Sequence, residues 1–97
     1  MAPSLGRIVH YTISATDAQE ISRRRLAGGG IAGPIHHGNP VAEGDVFPMV
    51  ITKVWGDPPN DTTAVNGQVM LDGNDLHWVT SVCVGSGPRT FAWPQKV

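Results

Sequence analysis

The stretch VNGQVMLDGNDLHWVTSVCV, residues 65–84, decides the fold. Val65, Val69 and Leu71 fall to one side and Asn66, Gln68 and Met70 to the other, the two-residue period of a strand with one buried face. Asp72-Gly73-Asn74-Asp75 then interrupts. Asp-Gly between two alternating runs is a hairpin signal, because glycine takes positive φ without a steric penalty. Leu76 to Val84 resumes the alternation, so the segment predicts two antiparallel strands joined by a tight turn.

The same pattern extends in both directions. Upstream, VFPMVITKVW at 46–55 sets Phe47, Met49, Ile51 and Trp55 on one side, with Lys53 among them, and Pro48 belongs at a strand's start or on an edge because it lacks an N–H. RIVHYTI at 7–13 sets Val9, Tyr11 and Ile13 against Ile8, His10 and Thr12. Between these strands, Ser14-Ala-Thr-Asp17 reads as a capping box, in which the Ser and Asp side chains satisfy each other's backbone N–H groups at a helix start. Ala18, Ile21 and Leu26 are expected on the helix's buried side. Arg23 to Arg25 suit its last turns, and Gly28-Gly29-Gly30 ends it. Residues 28–44, rich in Gly and Pro and carrying His36-His37, predict a flexible loop. Downstream, 56–63 is a turn by composition, and Thr90 to Trp93 a last short strand closed by Pro94.

Five short strands, tight turns and one short helix predict a mainly β fold: a small antiparallel barrel or strongly bent sheet of SH3-like or OB-like size, with an open sheet carrying the helix on one face as the rival. The 97 residues form one domain with room for a single core. A domain of this size buries only about 60–65% of its unfolded surface, so homo-oligomerisation or a ligand would add stability.

Seven basic against eight acidic residues argue against general nucleic-acid binding, which needs clustered Lys and Arg. No apolar run reaches the roughly 18 residues of a membrane span. Met1 to Arg7 leads straight into a strand without a leader-like apolar stretch, and a single cysteine forms no internal disulfide, so a cytosolic protein is expected.

The candidates for bond-breaking chemistry are weak. His77 and Cys83 on one strand would stand roughly 20 Å apart, too far for a nucleophile and its base, and a lone cysteine is more often a small buried hydrophobe. Adjacent His36-His37 does not reproduce the spaced ligand sets of zinc sites, and Asp72 and Asp75 are better explained by turn chemistry than by metal, so neither a metal nor a cofactor is expected. Gly28-Gly29-Gly30 with Gly33 follows a helix instead of opening one, so it presents no helix N-terminus to a phosphate. Aromatics on strands and the arginines remain: Tyr11, Trp78 and Trp93 could stack on a planar ring, Arg23, Arg24, Arg25 and Arg89 could clamp phosphate, and His36, His37 and Asn39 could hydrogen-bond from the loop. The bland alternative is that the aromatics are core and the arginines a solvated helix end.

GRIVHYTIS at 6–14, GNPVAEGDVFPMVITKVWG at 38–56, VNGQVMLDGNDLHWVTSV at 65–82 and GPRTFAWP at 87–94 together resemble a group of small proteins encoded by tailed phages and prophages, in register over nearly the whole chain. Members commonly end in a Gly-Thr-Trp-His-Trp-Pro-like run. Here Phe91 replaces the first Trp and Ala92 the His, so any chemical task of that His is not shared. The resemblance implies a phage-encoded, non-enzymatic binding protein of the host cytoplasm during infection. Its sharpest form is a sponge that sequesters a nucleotide-derived host immune signal, a cyclic ADP-ribose isomer or cyclic oligonucleotide, to inhibit anti-phage defence. The alternatives are a protein that binds a host protein, or a minor virion component.

Overall fold

The computed structural model describes residues 2–27, 29–30, 33–34 and 38–94. His36 and His37 lie outside them. Five antiparallel strands form one sheet in the order β6-β5-β4-β1-β7, where β1 is Ile8–Thr12, β4 Val46–Val54, β5 Val65–Met70, β6 Leu76–Val82 and β7 Phe91–Ala92. One helix, α1 (Ala15–Ala27), follows β1, and the stretch expected to be a plain loop contains a minimal antiparallel ribbon, β2 (Gly29–Gly30) with β3 (Gly33–Pro34). No helix among the described residues is long and apolar enough to cross a membrane.

The alternation expected of the strands holds where the ladders are regular. Val9 and Tyr11 of β1, Met49 and Ile51 of β4, Val69 of β5 and Val79 of β6 all enter the core with Ile13, Ile21 and Phe91. The 65–84 hairpin forms, with Val69 opposite His77 and Met70 opposite Leu76, but residues 71–75 join its strands instead of a tight turn, and Gly73 does not take the positive φ expected of it. Pro48 sits inside β4 and not at its start. It pairs with His10 on one side and lies just beyond the β4–β5 ladder, which begins at Met49, so its missing N–H costs no sheet bond there.

Two irregularities bend the sheet, and both face Asn66. On β4 the register passes from Ile51 opposite Gly67 to Lys53 opposite Asn66, leaving Thr52 as the extra residue of a bulge. That extra residue inverts the side-chain phase, so Val54 packs against the core and Trp55, expected inside, is 55% exposed under the Lys53 ammonium. On β6 the register shifts again between Val79 and Val82, and Ser81 takes a left-handed φ of 55°. Asn66 Oδ1 accepts from the Ser81 amide at 2.9 Å and from Trp55 Nε1 at 2.9 Å, tying both bulges to one buried side chain. Asn66→Ala should lower stability by about 2 kcal/mol, while Asn66→Asp, which keeps an accepting oxygen, should retain most of that contribution. Urea unfolding of both variants checks it; equal losses would mean the amide does not hold the bulges.

Past β6 the chain crosses to the far side of the sheet. Val84 and Phe91 form a single parallel bridge, with Phe91 N–H donating to the Cys83 carbonyl at 3.1 Å and Gly85 N–H to the Phe91 carbonyl at 2.9 Å. One rung is not a ladder, so the sheet is strongly bent and not a closed barrel, and among the described residues no strand pairs with the outer edge of β6 from Leu76 to Val82.

Candidate functional site

Helix α1 begins with the capping box its sequence announces. Ser14 N–H donates to Asp17 Oδ2 and Asp17 N–H to Ser14 Oγ, each at 3.0 Å. Asp17 carries more than a cap, because it is 5% exposed and faces the sheet. The Tyr11 hydroxyl also donates to its Oδ2, and its Oδ1 lies 2.9 Å from His77 Nε2. On the other side of the imidazole, Arg24 Nη1 lies 3.1 Å from Nδ1. Guanidinium can only donate, so Nδ1 accepts and Nε2 carries the proton given to Asp17. Both ring nitrogens of His77 are thus engaged, and the ring is 2% exposed.

The charges follow from this packing. Burial pushes the Asp17 carboxyl up, but hydrogen bonds from Tyr11, Ser14 and His77 outweigh it and hold the group below its ordinary 3.8. Burial, then the hydrogen bond and negative charge of Asp17, push the Tyr11 hydroxyl well above its ordinary value.

Helical spacing explains what the arginine run does. Asp17, Ile21, Arg24 and Arg25 recur at three to four residues and share the inner face, whereas Leu26 lies five beyond Ile21 and is 80% exposed, not buried as expected. Arg24 is therefore bound to His77 and, at 3.5 Å, to the Leu76 carbonyl. Arg25 grips Asp75 with two bonds, Nε to Oδ2 at 2.9 Å and Nη2 to Oδ1 at 3.0 Å, and donates to the Asn39 carbonyl at 2.8 Å. Asn39 in turn bonds Asp72 through side chain and backbone. The hairpin turn, the returning loop and the helix end are latched together by these contacts, so Arg24, Arg25 and Asn39 are internal fasteners instead of the free ligand contacts expected.

The other expected site residues divide four ways. Tyr11 is fully buried and offers no ring face to a ligand, which corrects its assignment to stacking. Trp93 packs edge-on against Phe91 with the Arg7 guanidinium 5.1 Å from its ring, beside a separate depression lined by His10, Thr12 and Val46. Arg23 lies on the exposed side of α1 with Ser22 and Leu26. Among the described residues of this group, Trp78 and Arg89 meet, at a cleft of about 230 Å³ between the start of α1 and the open edge of β6, lined also by Thr16, Asp17, Glu20 and Thr80. Trp78 joins it from the strand edge, its side chain leaving on the face opposite His77 and Val79, so it does not form the flat floor expected of a stacking residue. The position of Thr16, Glu20 and Thr80 at this cleft carried no signal in the sequence, since isolated surface hydroxyls and a lone glutamate are ordinary helix and strand residues.

Arg89 is held in an unusual backbone. Its φ is 62°, in the left-handed region that costs a side-chain-bearing residue about 1–2 kcal/mol. Its N–H donates to the Thr12 carbonyl at 2.8 Å, and its Nη2 to the Thr80 carbonyl at 3.3 Å, which sets the guanidinium at the cleft's mouth. Cys83, expected to be a small buried hydrophobe, is exposed just past β6. Among the described residues no three His, Cys, Asp or Glu side chains gather as metal ligands do. Compared with protein-family models, curated proteins and solved structures, the chain matches none.

Proposed function

We propose that the protein binds a small anionic, ring-bearing ligand of nucleotide type in the cleft between α1 and β6, and that it acts by holding this ligand, as a sponge for a nucleotide-derived host signal would. The observation that carries the reading is Arg89: an exposed cation kept in a strained left-handed backbone at the mouth of a polar cleft. Strain that persists in a folded protein is a reason to look for function there. The Arg89 fork suits a phosphate, and the Thr16 and Thr80 hydroxyls with Glu20 suit the polar rim of a sugar or base. Holding and not converting is supported by His77, whose ring nitrogens both serve Asp17 and Arg24 and leave no lone pair or proton for a substrate.

Size refines the proposal. Sites for whole drug-sized ligands run about 300–1,000 Å³. A 230 Å³ cleft takes one ring and its phosphate, so tight capture of a larger cyclic nucleotide would require a second copy of the chain to cover the remainder.

The test uses two readouts with opposite signs. In a thermal-shift screen against mononucleotides, cyclic dinucleotides and ADP-ribose derivatives, the wild type should gain melting temperature with at least one, and the bound compound should be recovered chemically intact after denaturation. Arg89→Gly should raise the unliganded protein's stability by about 1 kcal/mol by relieving the left-handed strain, and should abolish the ligand-induced rise. A converted product would replace holding with catalysis. An unshifted melting temperature with every nucleotide would remove the reading.

A further inference from the structure

Strand parity fixes which backbone groups of β6 face the cleft. Ile51 N–H donates to the Arg7 carbonyl, so odd-numbered residues of β4 point toward β1 and Val50 points toward β5. Val50 is opposite Gln68, so Gln68 faces β4, and Gly67 and Val69 face β6, where they meet Val79 and His77. Leu76, Trp78 and Thr80 therefore turn their N–H and C=O groups to the open edge. The Leu76 and Thr80 carbonyls are occupied there by Arg24 and Arg89.

Between those two arginines, the Trp78 peptide N–H and C=O stand side by side at the cleft. We infer that this donor–acceptor pair reads the edge of a planar heterocycle carrying an adjacent acceptor and donor, the amidine edge of a 6-aminopurine, while Arg89 holds its phosphate. The inference rests on the nucleotide reading of the same cleft and names what that cleft selects. The distances favour a single ring system over the other occupant of a strand edge, an added β-strand. Two residues span about 6.8 Å of strand, so the capped carbonyls leave roughly 13 Å of edge. That is wide enough for a purine, whereas an added strand would meet carbonyls on both sides that are already bonded to arginines. Complementarity is also local: one residue's N–H and C=O on the same side of a strand offer one donor and one acceptor in a plane, as a ring edge requires.

The experiment is amide-resolved NMR of the ¹⁵N-labelled full chain titrated with adenosine 5′-monophosphate, with N6,N6-dimethyladenosine 5′-monophosphate and with uridine 5′-monophosphate. The amides of Trp78 and Thr80 should shift most with the first, and the dimethyl compound, which lacks the amino donor, should bind at least tenfold more weakly. If both purine monophosphates bind equally, or the shifts centre elsewhere than Trp78, the edge-reading inference falls while nucleotide binding stands. If none of the three binds and Arg89→Gly changes no nucleotide's effect on melting, the nucleotide reading itself has failed.

Discussion

Asp17→Ala is expected to lose about 4 kcal/mol of folding stability, a large part of the roughly 5–15 kcal/mol that a domain possesses. The carboxylate accepts from the Tyr11 hydroxyl, the Ser14 amide and His77 Nε2, and alanine leaves all three donors without it. Tyr11 and His77 are almost fully buried, so water cannot readily replace the lost acceptor. Each orphaned buried donor costs about 1–3 kcal/mol, and loss of the cap alone about 1 kcal/mol. Urea unfolding followed by circular dichroism measures the loss; a value below about 1 kcal/mol would mean that the donors find other partners and that Asp17 is an ordinary cap. The same group gives a pH signature. Its folded-state pKa lies below the ordinary 3.8, so its contribution is present above that value and declines as the pH falls below it. The stability gap between wild type and Asp17→Asn should therefore narrow on acidification below 3.8 and stay constant between neutrality and pH 6.

Gly67→Ala should cost about 3 kcal/mol, for want of space and not of conformational freedom. A Cβ at this position would stand 2.5 Å from Met49 Cγ, 2.6 Å from its Sδ and 2.9 Å from the Val50 carbonyl oxygen. Met49 is fully buried and cannot swing aside, and the carbonyl belongs to the neighbouring strand's backbone. Gly44 supplies the contrast. Its φ is 92° with nothing within 4 Å, so Gly44→Ala meets backbone strain alone and should cost nearer 1 kcal/mol. Combining Gly67→Ala with Met49→Ala should recover part of the loss, giving a coupling energy of about 1 kcal/mol or more in a double-mutant cycle. Strict additivity of the two changes would place the cause elsewhere than the Met49 contact.

Much of the architecture was legible because its signals are local. Alternation and Asp72-Gly73 mark the hairpin, and Ser14 with Asp17 marks the helix start, each within a few residues. The bulges at Thr52 and Ser81 were not legible, because an inserted residue changes pairing without changing composition, and simple alternation therefore puts Trp55 on the opposite side from the one it occupies. Leu26 lies five residues past Ile21, off the three-to-four-residue repeat of the buried face, although its apolar character by itself favours the inside. The site was harder to read. Asp17 meets His77 across sixty positions and Arg25 meets Asp75 across fifty, and nothing in a single chain marks such partners before the sheet brings them together. Two arginines of the cationic run, Arg24 and Arg25, thus prove to be consumed by the fold while Arg23 stays on the outer side of α1, leaving Arg89 and the edge of β6 as the features of the cleft.

The rung joining Val84 to Phe91, and the pairing of Tyr11 with Phe91 beside it, have a kinetic consequence. Tyr11 can find Asp17 by closing a short loop, but its strand is flanked on the far side only once a segment eighty positions away has diffused back to it. Searches of that span belong to the slow end of two-state folding, milliseconds to seconds. Until β7 docks, that flank of β1 has no strand beside it, so aggregation during synthesis should concentrate on that strand.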